Sequence, residues 1–148
     1  MIPFLKKPTF LGLFLFTAFT LTGSAEVKIE KYKAGDWEDD IGYRQAVRVG
    51  QLLYISGTAA PGEMPAAIKQ VYGDLEKTLK AHGLTFKNVV KENAYTMDLD
   101  ALRANQEIRK KYYGKDFPAA TWVQVARLFS PELVLEVELV AVFPDDKH

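Results

Sequence analysis

An α+β domain, with one mixed sheet and two helices packed on the same face, is the fold class this sequence predicts. Three observations predict it. Residues 65–82 carry apolar side chains at helical spacing. Residues 133–142 alternate with the period of a strand. The predicted elements also run as three strands, a helix, a strand, a helix and two strands.

The first strand is Val27-Lys28-Ile29-Glu30, which alternates apolar and charged residues. Gly35 to Gly42 reads as an acidic, glycine-bounded loop, more readily solvated than cation-binding despite Asp36, Glu38, Asp39 and Asp40. Gln45–Val49 and Leu52–Ser56 flank Gly50-Gln51 and predict a hairpin with a two-residue turn. Thr58–Glu63 reads as a loop. The helix over Pro65–His82 carries Ile68, Val71, Tyr72, Leu75 and Leu79 on one stripe, with Pro65 suited to its first turn and Gly83 to its C-terminal end. Asn88–Met97 is a strand. One further helix is expected from Asp98 or Asp100 to Tyr113, with Arg109, Lys110 and Lys111 in the last turns, where the helix dipole favours cations. Ala119–Leu128 and Leu133–Val142 complete the sheet.

The last strand separates two faces. Leu133, Leu135, Val137, Leu139 and Ala141 share the side expected against the helices. Val134, Glu136, Glu138, Val140 and Val142 share the other. That mixture of valines and carboxylates fits a subunit interface holding a polar pocket, or else an amphipathic strand with two exposed glutamates.

Residues 1–25 are read as a cleaved signal peptide. Lys6 and Lys7 precede the apolar run 10–19, and the small residues Gly23 and Ala25 suit cleavage before Glu26. The apolar segment, about 12–14 residues, is shorter than the roughly 20 a membrane span requires. The expected mature protein is one domain, residues 26–148, periplasmic or secreted, with no membrane association after cleavage. Losing Lys6 and Lys7 takes 19 basic and 19 acidic residues to 17 and 19, a formal charge near −2. No basic footprint for nucleic acid is present. The chain has no cysteine, so no disulfide. His82 and His148 form no metal set, no phosphate loop follows Gly57–Gly62, and no cofactor is expected.

Four segments resemble the RidA/YjgF family, the enamine/imine deaminase-like proteins also known as L-PSP endoribonuclease-like. They are Ile41–Val47, Leu53–Gly57, Asn105 in the second helix, and Phe117–Leu128 leading into Leu135-Glu136-Val137-Glu138. The resemblance spans almost all of residues 26–148. It implies a chorismate-mutase-like fold and a homotrimer with three small-molecule clefts between subunits. In the family's deaminases an arginine after Pro-Ala clamps the substrate carboxylate, a carboxylate positions water, and a tyrosine closes the cleft. Carried over, the tyrosine is Tyr43, the helix asparagine Asn105 and the water-positioning carboxylate Glu136. The arginine position is Ala120, a plain departure, and Trp122 follows on the same side of the strand where the family has a small residue. Thr121 resembles the family's hydroxyl residue. The family's proline before the tyrosine is Gly42, and the loop after Gly57 is shorter than usual.

Loss of a bidentate guanidinium–carboxylate clamp removes the strongest and most directional anchor for a carboxylate substrate. The sequence therefore predicts a small-molecule-binding member without standard imine deaminase activity. The alternative is a 2-iminobutanoate/2-iminopropanoate-type deaminase with a substitute anion anchor, for which Arg44, beside Tyr43, is the candidate. A ribonuclease is a third reading, disfavoured by the acidic balance and the lack of paired histidines. Arg127 is expected in a structural ion pair.

Overall fold

The structure, a computed structural model, describes residues 26–145; the expected leader lies outside them. Six strands form one sheet: β1 (Ile29–Tyr32), β2 (Ala46–Val49), β3 (Leu52–Pro61), β4 (Val89–Thr96), β5 (Ala119–Gln124) and β6 (Leu133–Val142). Four helices accompany them: α1 (Trp37–Ile41), α2 (Met64–Ala81), α3 (Leu99–Ala104) and α4 (Gln106–Tyr113). The sheet order is β1-β2-β3-β6-β4-β5. Only the β4–β5 pair is parallel, joined by the α3–α4 crossover. The chain's last strand therefore lies in the interior of the sheet.

The predicted α+β class with helices on one face holds. Ile68, Val71, Tyr72, Leu75 and Leu79 of α2 are all essentially buried, as are Leu135, Val137, Leu139 and Ala141 of β6, and these two sets belong to one core. The hairpin turn falls at Gly50-Gln51, with Gly50 at φ 59°, a conformation glycine adopts without steric cost. On the opposite face Val134, Glu136, Glu138, Val140 and Val142 are half-buried, and Tyr54 and Val123 are exposed.

Four details differ from the sequence reading. The acidic segment forms the short helix α1, ended by Gly42 in the left-handed region. Its Glu38 is fully buried and accepts the backbone N–H groups of Ala34 (2.7 Å) and Gln45 (3.1 Å), while Lys33 pairs with Asp36 and Asp39. β3 continues through the expected loop to Pro61. The single second helix is two, broken at Asn105, whose side-chain amide donates to the Ala101 carbonyl at 2.9 Å and so satisfies an end group that the break exposes. β5 stops at Gln124 rather than Leu128, and Gln124 turns its side-chain carbonyl to the Leu99 amide (3.1 Å) at the start of α3.

Candidate functional site

The predicted site residues fall into two groups on opposite faces of the sheet. The first group surrounds Tyr43. Helix α1 and its buried Glu38 brace the loop that delivers this ring, and Trp37 stacks on it with centroids 5.5 Å apart at 26°. The Tyr43 hydroxyl donates to the Gly57 carbonyl (3.1 Å) and lies 3.4 Å from the Gln45 side-chain oxygen. Between this ring and β6 lies a cleft of about 560 Å³, lined by Trp37, Ile41, Tyr43, Ala59, Phe129 and Glu136 among others. Its volume is in the range of small-molecule sites.

Glu136 enters the cleft across from Gly57, where the β3–β6 register slips between Ile55 and Thr58. A Cβ at position 57 would come within 1.9 Å of the Glu136 carboxylate, so the carboxylate occupies space that only glycine leaves open. Among the described residues no side chain or backbone group donates to it. Burial, and next the neighbouring Glu138, raises its pKa above the ordinary carboxylate value. Glu138, by contrast, accepts from Asn93 (2.7 Å) and Tyr95 (3.1 Å). The Tyr43 phenol is also raised, chiefly by burial, which keeps it a neutral donor.

Arg44 does not turn into this cleft. Its guanidinium pairs with Asp39 at 2.7 Å and donates to the Tyr43 carbonyl at 2.6 Å. That occupancy corrects the sequence reading, in which Arg44 was the candidate anion anchor. Arg127 is corrected as well. It makes no ion pair among the described residues and lines a shallow depression with Tyr95, Phe129, Glu136 and Glu138.

The second group lies on the helix side, around a residue that the sequence reading left unmarked. Glu92 of β4 is fully buried and accepts four donors: the Arg109 Nε (2.8 Å), the Trp122 indole N–H (2.9 Å), the Tyr72 hydroxyl (2.9 Å) and the Tyr113 hydroxyl (2.6 Å). Arg109 is 5% exposed, and its guanidinium lies against the rings of Tyr113 (4.7 Å) and Trp122 (4.9 Å). Burial opposes the charged form of Arg109, but Glu92, Tyr72 and Tyr113 together outweigh it and the pKa rises. Tyr72 and Tyr113 are pushed far above the ordinary phenol value, by burial first and then by Glu92.

Ala120 is exposed and in register with Glu92, and Trp122 is in register with Ala94. Ala120 and Trp122 therefore share the helix side, as alternation predicts. Within one chain Trp122 does not meet Tyr43 or Glu136, because its indole is turned into the Glu92 cluster. Thr121 points to the outer face, where its hydroxyl accepts from the Lys91 ammonium at 2.8 Å. Asn105 stands at the α3–α4 break, bonded back to its own helix.

The sequence did hold a signal for the second cluster. Glu92 is a charge at a core-facing position of β4, two residues before buried Ala94, and a buried carboxylate demands partners. Arg109 gave none, since a cation in a last helical turn is also where the helix dipole places one.

A single mixed sheet whose helices cover only one face places the protein among small α+β domains with an open, carboxylate-bearing sheet surface. The Endoribonuclease L-PSP family description matches residues 38–143. The chain belongs to that family, RidA/YjgF. It is 36% identical over 109 residues to the mouse 2-iminobutanoate/2-iminopropanoate deaminase, covering 68% of this chain and 80% of that protein. The goat deaminase of the same name is 35% identical, with 68% and 79% covered. A crystal structure of a YjgF/YER057c/UK114 family member from Mycobacterium tuberculosis superposes with a TM-score of 0.72 at 29% identity, covering 78% of this chain and 100% of that one.

Proposed function

We propose that the protein is an exported, trimeric member of the family that binds a small molecule in clefts between subunits and lacks the standard imine deaminase chemistry. The observation that carries this reading is the pairing of two features. Tyr43 and Glu136 form a cleft with aromatic and aliphatic walls, and at position 120, where the family's deaminases hold their arginine, stands an exposed alanine beside an indole already committed to Glu92. The cleft has a polar floor and no carboxylate clamp. Because Tyr43 and Trp122 lie on opposite faces of one chain, a cleft containing both needs two copies. The half-buried valines and glutamates of the outer face also suit burial against a partner. Residues 1–25, read as a leader, support export.

An imine generated in situ by an amino-acid oxidase and trapped with semicarbazide tests the reading. Wild type is expected to leave the trapped fraction at the buffer level. Accelerated loss of the imine by wild type would overturn it.

A second reading, a deaminase with a substitute anion anchor, has one observation in its favour. Glu136, free of donors and raised in pKa, is a carboxyl able to hold water. That reading predicts ammonia release that falls on Glu136→Gln.

A further inference from the structure

The cleft between Tyr43 and β6 holds a carboxylate and no cation to match it. None of the described residues lining it is basic. The cations of the Tyr43 loop are spent on other partners. Arg44 pairs with Asp39 and donates to the Tyr43 carbonyl, and Lys33 pairs with Asp36 and Asp39. Arg127, exposed to solvent, lines the neighbouring depression on Glu136 but not the cleft. The Tyr43 hydroxyl is already given to the Gly57 carbonyl. Glu136 is thus left with unmet acceptor capacity, and no cation offsets the burial and the Glu138 charge that raise its pKa. An ammonium placed beside it would favour the charged form that burial disfavours.

The walls suit the same guest. Trp37 stacks on Tyr43, and its indole lies so close to residue 35 that a Cβ there would come within 2.7 Å of it. Phe129, 82% exposed, stands on the same cleft. Aromatic faces attract ammonium groups through the ring quadrupole, and a carboxylate accepts their N–H bonds. A carboxylate ligand meets the opposite conditions: Glu136 repels it, and no ammonium or guanidinium lines the cleft to hold it. A second copy bringing its β5 to the cleft adds an alanine at position 120, and Arg109 is already paired with Glu92.

We propose that this cleft takes a small organic cation, a protonated primary amine on an aromatic or branched aliphatic body, with its N–H groups on Glu136 and its body against Trp37, Tyr43 and Phe129. The proposal rests on the reading of the Tyr43–Glu136 cleft as a small-molecule site and names the class of its ligand. The charge preference is the reverse of that of a site built round an arginine clamp.

Three probes of similar shape and different charge test it: 2-phenylethylammonium, the uncharged 2-phenylethanol and the anion 3-phenylpropanoate. Each is titrated calorimetrically into the purified protein at neutral pH and constant ionic strength. The ammonium is expected to bind saturably, about tenfold tighter than the alcohol or more, and the anion not to bind. Glu136→Gln keeps the shape of the side chain and removes its charge. It is expected to weaken the ammonium about tenfold and to leave the alcohol unchanged. Phe129→Ala, at an exposed position that the fold does not need, is expected to weaken the ammonium about threefold. No saturable ammonium binding, equal binding of ammonium and alcohol, tighter binding of the anion, or ammonium binding undiminished in Glu136→Gln overturns the proposal. Should the alcohol or the anion bind best and lose affinity in Phe129→Ala, the ligand class fails and the cleft stands. Deamination by wild type in the imine-trapping assay is the separate failure of the reading beneath it.

Discussion

Glu92 and Glu136 sit on adjacent strands, facing opposite sides of the same sheet, and the chain treats them differently. Glu92 is fully buried with every oxygen engaged, and its cluster ties α2, α4 and β5 to β4. Glu136 is half-buried, has no donor among the described residues, and fits only because residue 57 has no side chain. A satisfied buried carboxylate is part of the structure's frame. One left with unmet acceptor capacity and a raised pKa is poised for something the chain itself does not supply.

This difference should appear first in stability. Glu92→Ala leaves Arg109 charged and uncompensated in the core, and is expected to cost about 3–5 kcal/mol in urea unfolding. Glu92→Leu with Arg109→Met should recover only part of that, because two tyrosine hydroxyls and an indole N–H remain without an acceptor. A cost below about 1 kcal/mol for Glu92→Ala would erase the distinction drawn between the two carboxylates.

Gly57→Ala is expected to cost about 1–3 kcal/mol by forcing the Glu136 side chain aside. Combining it with Glu136→Ala should relieve most of the loss, a coupling measurable as a double-mutant cycle. Trp122→Phe removes one of four donors to Glu92 and is expected to cost about 1 kcal/mol.

The smallest effect has the opposite sign. A carboxyl whose pKa is raised by folding holds its proton more tightly in the folded chain, so the folded state loses stability as pH rises from the ordinary carboxylate value through the raised one. Glu136→Gln cannot ionise. It should match wild type below that window and exceed it above by less than about 1 kcal/mol, the side chain being only half-buried. Thermal melts at acid and neutral pH measure the difference.

Much of the frame was legible in the sequence because period and turn chemistry are local. The stripe from Ile68 to Leu79, the Gly50-Gln51 turn and the two faces of β6 all follow from spacing. Three things were not legible. Helix α1 depends on Glu38 finding backbone donors that lie four residues before it and seven after. The break at Asn105 depends on a side chain replacing a helical partner. The Glu92 cluster joins residues 17 to 30 positions apart, visible only once α4 and β5 have packed. At the site, the resemblance marked Tyr43 and Glu136, but strand alternation alone could not reveal that Trp122 turns toward β4's carboxylate.

The placement of β6 bears on how the molecule comes into being. Of the six strands of this sheet, the one made last, β6, fills the gap between β3 and β4. Before it emerges, the β1–β2–β3 meander and the β4–β5 crossover unit each lack a neighbour along one edge, and nothing joins them into one sheet. Non-local pairings of this kind close late and slowly. The sheet should therefore stay incomplete until β6 emerges, and the Glu136 cleft, whose carboxylate rides on β6, should be among the last features of the sheet to form.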